Sequence, residues 1–181
     1  MAYSPDVFMA QYILVDEFVR HLVYYRQIHS KMAERQVQSA FWAACANSNL
    51  FQAAIKWSGV FGSHGCNETH WKNLAPGQGE VLQTEFREGL LKFLGVELGA
   101  WEAYWKQMLE FRNNFAAHRS LKPNMPVPSF DAALKVAFYY DEWVRRVIHP
   151  DTLEARRLSV IHSVVELEAT IEIERAFQSY G

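Results

Sequence analysis

The stretch "WEAYWKQMLEFRNNFAAHRS", residues 101–120, decides the fold. Laid out at about 100° per residue with Met108 as origin, it gathers Trp101, Tyr104, Trp105, Leu109, Phe111, Phe115 and Ala116 within about 100° of that origin. Glu102, Lys106, Glu110 and Asn113 point the other way. This is an amphipathic helix with one face made for burial. One residue breaks the pattern. Arg112 falls at about 40°, near the middle of the oily face, and His118 at about −80°, on its edge beside Asn114.

A guanidinium taken out of water is costly unless it is paired and hydrogen-bonded. Position 112 therefore implies a negative charge nearby: a carboxylate on a neighbouring helix, a polar cleft, or the surface of a partner. A histidine near a helix C-terminus has a simpler use, since it can bond the last carbonyls and gain from the helix dipole.

Working outward in both directions, the chain continues to read as helix. Ser4, Pro5 and Asp6 form a good start, because the hydroxyl can cap, proline fits the first turn and an acid favours the positive end. The first helix is expected to run to about His29, with Phe8, Ile13, Phe18, Leu22 and Tyr25 among its apolar positions. A second, rich in Ala, Phe and Trp, is expected from about Glu34 to Val60. From Gly62 to Gly79 the glycines, asparagines and proline predict a long ordered loop with one helical turn around "THWKNL". Helical periodicity returns from Glu80 to Leu94, stops at Gly95, and restarts near Leu98 for the helix that opened this reading. "LKPNMPVPSF" breaks it, Ser129 with Asp131 starts a fifth helix to about Ile148, and Pro150 with Asp151 starts a sixth to about Phe177. No hairpin dipeptide, alternating strand pattern or internal repeat stands out. The expectation is an all-α, up-and-down bundle of five to six helices, with residues 1–181 as one domain.

Composition narrows the function classes. Half of the 181 residues are hydrophobic and 14% aromatic, well above a disordered chain, so a core can form without staples. The formal net charge of −2 offers no global positive field, so any contact with nucleic acid must be local. Arg119 and Lys122, with Arg145, Arg146, Arg156 and Arg157 near the junction of the fifth and sixth helices, could form such a patch, although runs of this kind are usually solvated faces. Two cysteines, Cys45 and Cys66, make no disulfide framework. Asp6, Asp16 and Glu17 interrupt the apolar pattern at the N-terminus, and no apolar run approaches the roughly 18 residues of a membrane span. A cytoplasmic protein that does not enter the membrane is expected.

Other constellations compete with Arg112. "SHGCNETH" places His64, Cys66, Glu68 and His70 in one loop, donors enough for zinc, but in no closed zinc spacing; packing of the loop by His70 and Trp71 is the simpler use. Glu17 with His21, and His162 with Glu166, stand one helical turn apart and read as surface pairs. Dinucleotide, phosphate-loop, serine-hydrolase and zincin motifs are missing.

The run "RNNFAAH", from Arg112 to His118, resembles the signature of the HEPN superfamily: Arg, often followed by Asn, then His after four to six residues, late in a helix of an all-α domain. The flanking "YWKQMLEFRNNFAAHRS" and "SFDAALKVAFYYDEW" are similar to the abortive-infection branch, and the likeness spans roughly residues 60–145. The resemblance implies a HEPN-like bundle that forms a homodimer and cleaves RNA without a metal or cofactor, as a toxin or in phage defence. It further implies His118 as acid and base, Arg112 as the stabiliser of the phosphorane, and Asn113 as the polar residue of the motif, although the wheel turns Asn113 outward. An antitoxin protein is a possible partner for such a toxin. The superfamily also holds members without turnover, so the alternative is a HEPN-like interaction or nucleotide-binding module.

Overall fold

The computed structural model describes residues 2–117, 126–150 and 156–179, with residues 115–117 described by their backbone alone. Six α-helices carry the chain, and no strand occurs among the described residues. Helix α1 spans Pro5–Glu34, and Ser4 caps it by accepting a hydrogen bond from the Val7 N–H at 3.5 Å. It is longer than its sequence pattern implied, because the apolar rhythm continues through Ile28 and the turn comes only where Gln36 takes a positive φ of 53°. Helix α2, Ala40–Phe61, accordingly starts at the Ser39 cap rather than at Glu34, which belongs to α1.

The 62–78 loop contains two turns of 3₁₀ helix, Trp71–Asn73 and Pro76–Gln78. The first is the turn expected at "THWKNL". Helix α3 spans Gly79–Leu94 and stops at Gly95, whose φ of 68° is the left-handed cap that glycine adopts without penalty. Helix α4, Leu98–Phe111, and α5, Phe130–Trp143, each pass into a wider π-helical segment, Arg112–Ala117 and Val144–Ile148. Helix α6 spans Leu158–Gln178. Its expected start at Asp151 lies outside the described residues. Arg157, with ψ at 144°, is extended, so helical winding is under way only from Leu158.

Side-chain pairs give the topology. Leu14 meets Gly59 and His21 Nδ1 lies 2.8 Å from Asn49 Oδ1, so α2 runs antiparallel to α1. Trp105 meets Phe61 and Phe111 meets Phe51, which sets α4 antiparallel to α2. Arg26 reaches Asp131 and Tyr12 reaches Asp141, so α5 is antiparallel to α1. Val23 packs with Val165 and Ala169, and Lys31 pairs with Glu174 at 2.7 Å, so α6 runs parallel to α1. The result is an all-α helical bundle in which α1, α4 and α6 run one way and α2 and α5 the other. Trp57, Trp143, Tyr140, Phe8, Phe18 and Phe86 fill its middle. Two expected core positions differ: Ile13 is 54% exposed and Tyr25 only half-buried. Ile13 stands about 180° from Leu22 around α1, on the side away from the buried residues.

A buried polar joint ties three elements at the α5 end. Asp141, on α5, accepts from Arg145 Nε at 2.8 Å, from the Tyr12 hydroxyl at 3.1 Å and from the Leu158 N–H at 3.1 Å. Its carboxylate thus serves the N-terminus of α6 and neutralises Arg145 at once. No helix among the described residues is long and apolar enough to cross a membrane.

Candidate functional site

The wheel drawn from the sequence holds through α4. Met108 and Phe111 are buried; Trp101, Tyr104, Trp105 and Leu109 are partly buried; Glu102, Lys106, Glu110 and Asn113 are exposed. Past Phe111 the winding changes. In a π segment each N–H bonds five residues back instead of four, so every residue turns the chain through fewer degrees. The angle assigned to His118 assumed an unbroken α-helix, and that premise fails six residues before it.

Arg112 is the first residue of the π segment, which packs against α2. Its side chain is half-buried, its Nε is buried with no hydrogen-bond partner, and no carboxylate lies within ion-pair reach of its guanidinium among the described residues. The internal ion pair that would have explained it away is missing there. Asn113 faces solvent, as the wheel indicated, and Asn114 is half-buried. His118 lies outside the described residues, as do Arg119 and Lys122. Arg145 is taken up by Asp141, Tyr12 and the Arg156 carbonyl, while Arg146, Arg156 and Arg157 are solvated.

The 62–75 loop is packed down as its aromatic residues implied. His70 is 3% exposed and Trp71 8%. The His70 carbonyl accepts from Gln11 Nε2 at 2.8 Å, and Nδ1 accepts from the Lys72 N–H at 3.2 Å. Burial, aided by nearby His64 and Lys72, pulls the His70 imidazole down to about 4, so it is neutral at physiological pH. His64 stacks near it at 4.9 Å and its Nε2 lies 3.0 Å from Asn73 Oδ1. Cys66 and Glu68 are exposed. No group of three or more metal-ligating side chains forms among the described residues. His162 does lie against Glu166, at 3.8 Å, whereas Glu17 pairs with Lys56 instead of His21.

Folding the loop against α3 and α4 opens a cleft of about 380 Å³. Trp71, Trp101 and Trp105 give it aromatic walls, and Lys72, Arg87 and Lys106 bring positive charge to it, with Glu102 the one carboxylate on its lining. The Trp105 indole is fixed by its N–H, which donates to the Phe61 carbonyl at 2.7 Å. The Trp71 ring stacks on Phe86 at 4.1 Å, with Lys72 Nζ 5.9 Å from its centre. Burial and then the charge of Arg87 push the Lys72 ammonium down. Sequence reasoning missed this cleft because it assigned Trp101 and Trp105 wholly to the core. The recoverable signal was the Glu102/Lys106 pair, one turn apart and flanking those tryptophans.

No protein-family model matches the chain, and neither a characterised protein nor a solved structure does. Function must be argued from the residues themselves.

Proposed function

We propose that the protein is a metal-independent endoribonuclease of the HEPN type, acting in growth arrest or phage defence, with its site in a cleft shared by two copies of the chain. The observation that carries this reading is the Arg112 guanidinium: half-buried, its Nε bonded to nothing, and without a carboxylate in reach among the described residues. A desolvated cation in that state is stabilised by an anion arriving from outside. A phosphodiester supplies one, and the planar fork of arginine matches two of its oxygens.

The chemistry then follows from two side chains. The ribose 2′-hydroxyl attacks the adjacent phosphorus while an imidazole removes its proton; the 5′-oxygen leaves with a proton from a second imidazole, giving a 2′,3′-cyclic phosphate. A histidine side chain suits the proton transfers assigned to His118, and Arg112 stabilises the extra negative charge on the pentacovalent phosphorus. Each chain offers one such histidine in the motif, and twofold symmetry supplies the other. Asn113, facing solvent, is available to a partner subunit or to RNA rather than to its own core. An antitoxin that covers this seam would silence it.

The test is to incubate the purified protein with RNA in chelator. Wild type cuts, leaving cyclic phosphate ends; Arg112→Ala and His118→Ala lose about a hundredfold or more in rate, the scale of removing one transition-state stabiliser or proton carrier. RNA left intact across many substrates, or cutting unchanged in His118→Ala, ends the proposal and leaves the interaction module as the reading of the fold.

A further inference from the structure

The cleft between the 62–72 loop, α3 and α4 is a second feature, and no residue of the Arg–His motif lines it. Trp105 and Arg112 are seven residues apart on one helical path, about 10 Å along its axis. We propose that this cleft binds a flat heteroaromatic anion of about the size of a nucleoside monophosphate.

Its size falls at the lower end of pockets for small ligands, about 300–1,000 Å³. Charge decides the sign of the ligand. Lys72, Arg87 and Lys106 converge on one lining, and none of them has a carboxylate within 4.0 Å among the described residues. Lys72 and Arg87 are close enough to repel one another. Acids outnumber bases in this chain, 20 to 18, and most buried or half-buried cations elsewhere are paired: Arg20 with Asp16, Lys31 with Glu174, Lys56 with Glu17, Arg145 with Asp141. Lys72, half-buried and unpaired beside Arg87, departs from that pattern, and the exposed Arg87 and Lys106 add their charge to the same hollow.

Aromatic faces decide the shape. The indoles of Trp101 and Trp105 are only partly covered and stand one turn apart on α4, a rigid element. Such faces stack on a planar ring, and stacking is strongest on an electron-poor heterocycle. Glu102 and His64 are further polar groups of the lining, and Glu102 is an acceptor for a ring N–H. His70 lies on the lining as a neutral imidazole, so the positive charge there comes from Lys72, Arg87 and Lys106. A ring between the tryptophans with its negative group at Lys72, Arg87 and Lys106 uses the aromatic and the cationic parts of the lining.

Isothermal titration of the full chain tests this with four probes: adenosine 5′-monophosphate, indole-3-carboxylate, adenosine and inorganic phosphate. Saturable binding by at least one of the first two is expected, and which of them binds tells a nucleotide from an aromatic acid. Adenosine and phosphate, each using half of the lining, should bind at least about tenfold more weakly than the better anion. The double variant R87Q/K106Q, at two exposed side chains, should melt as wild type does and lose about tenfold or more in affinity. The proposal is overturned if neither aromatic anion saturates by about 10 mM, a level already weaker than any useful site. It is equally overturned if phosphate alone binds as tightly as the aromatic anions, or if R87Q/K106Q binds unchanged.

Discussion

Replacing His70 with Gln gives the sharpest test of how the 62–75 loop is held. At pH 7.5 the imidazole is neutral in both folded and unfolded chains, and its contribution is packing plus the hydrogen bond that Nδ1 accepts from the Lys72 N–H. Below the ordinary histidine value of 6.5 the unfolded chain takes up a proton that the folded chain refuses until pH falls to about 4. Stability therefore declines as pH falls through that window, by about 1.4 kcal/mol for each pH unit. The whole window amounts to about 3 kcal/mol, and by pH 5 about 2 kcal/mol has gone. Glutamine does not titrate, so His70→Gln omits this decline while keeping every other acid-sensitive group. Urea unfolding of both proteins at pH 7.5 and 5.0 measures it. The stability advantage of wild type should shrink by about 2 kcal/mol on going to pH 5. If the difference between the two proteins is the same at both pH values, the imidazole is not held out of water and the account of the loop is wrong.

Three further substitutions probe the frame around the sites. Asp141→Ala removes the acceptor of Arg145, Tyr12 and the Leu158 N–H together, and should cost about 3–5 kcal/mol, seen as a drop in Tm of roughly 10 °C or more. Gly89→Ala would drive a methyl group into the Tyr139 hydroxyl, so a loss of about 1–3 kcal/mol is expected in denaturant melts, with part of it recovered in the Gly89→Ala/Tyr139→Phe double variant. Arg112→Met should leave stability within about 1 kcal/mol of wild type, because no internal partner is orphaned; a loss near 3–5 kcal/mol would reveal a structural ion pair instead.

Helix identity was legible wherever a short-range rule governs it. Ser4 and Ser129 accept backbone hydrogen bonds at helix starts, and Gly95 ends a helix in the left-handed region. The outward direction of Glu102, Lys106, Glu110 and Asn113 was equally plain from spacing. What spacing could not supply was the second partner. Tyr25 stands about 60° from Leu22 around α1, yet it is only half-buried. The start of α2 was set too early because Glu34 and Arg35 are good helix formers, and the positive φ of Gln36 that breaks the chain follows no strong residue preference. For the site, Arg112 was legible as an anomaly but not its lack of an internal partner. The cleft was not legible at all, since it exists only when Trp71, Arg87 and Trp105 are brought from three elements to one hollow.

The two π segments separate structural need from unmet need. A π turn is rare and holds only where its surroundings favour it. At the end of α5 they plainly do: Val144 and Ile148 are fully buried, and Arg145 is bound by Asp141 and Tyr12. That segment has its charge satisfied and its apolar residues covered, so packing alone accounts for it. At the end of α4 the same widening begins on Arg112, but the guanidinium has no carboxylate among the described residues and its Nε has no acceptor. Two unfavourable features, the winding and the unbonded polar atom, thus fall on one residue without the compensation seen 33 positions later at Arg145. An anion at Arg112 removes the second of them and gives the first a purpose, since widening the helix changes where the residues after Arg112 point relative to it. Protection of Arg112 from guanidine-directed modification by phosphate and by RNA alike, kept in Arg87→Gln, would place that anion on this segment rather than in the cleft.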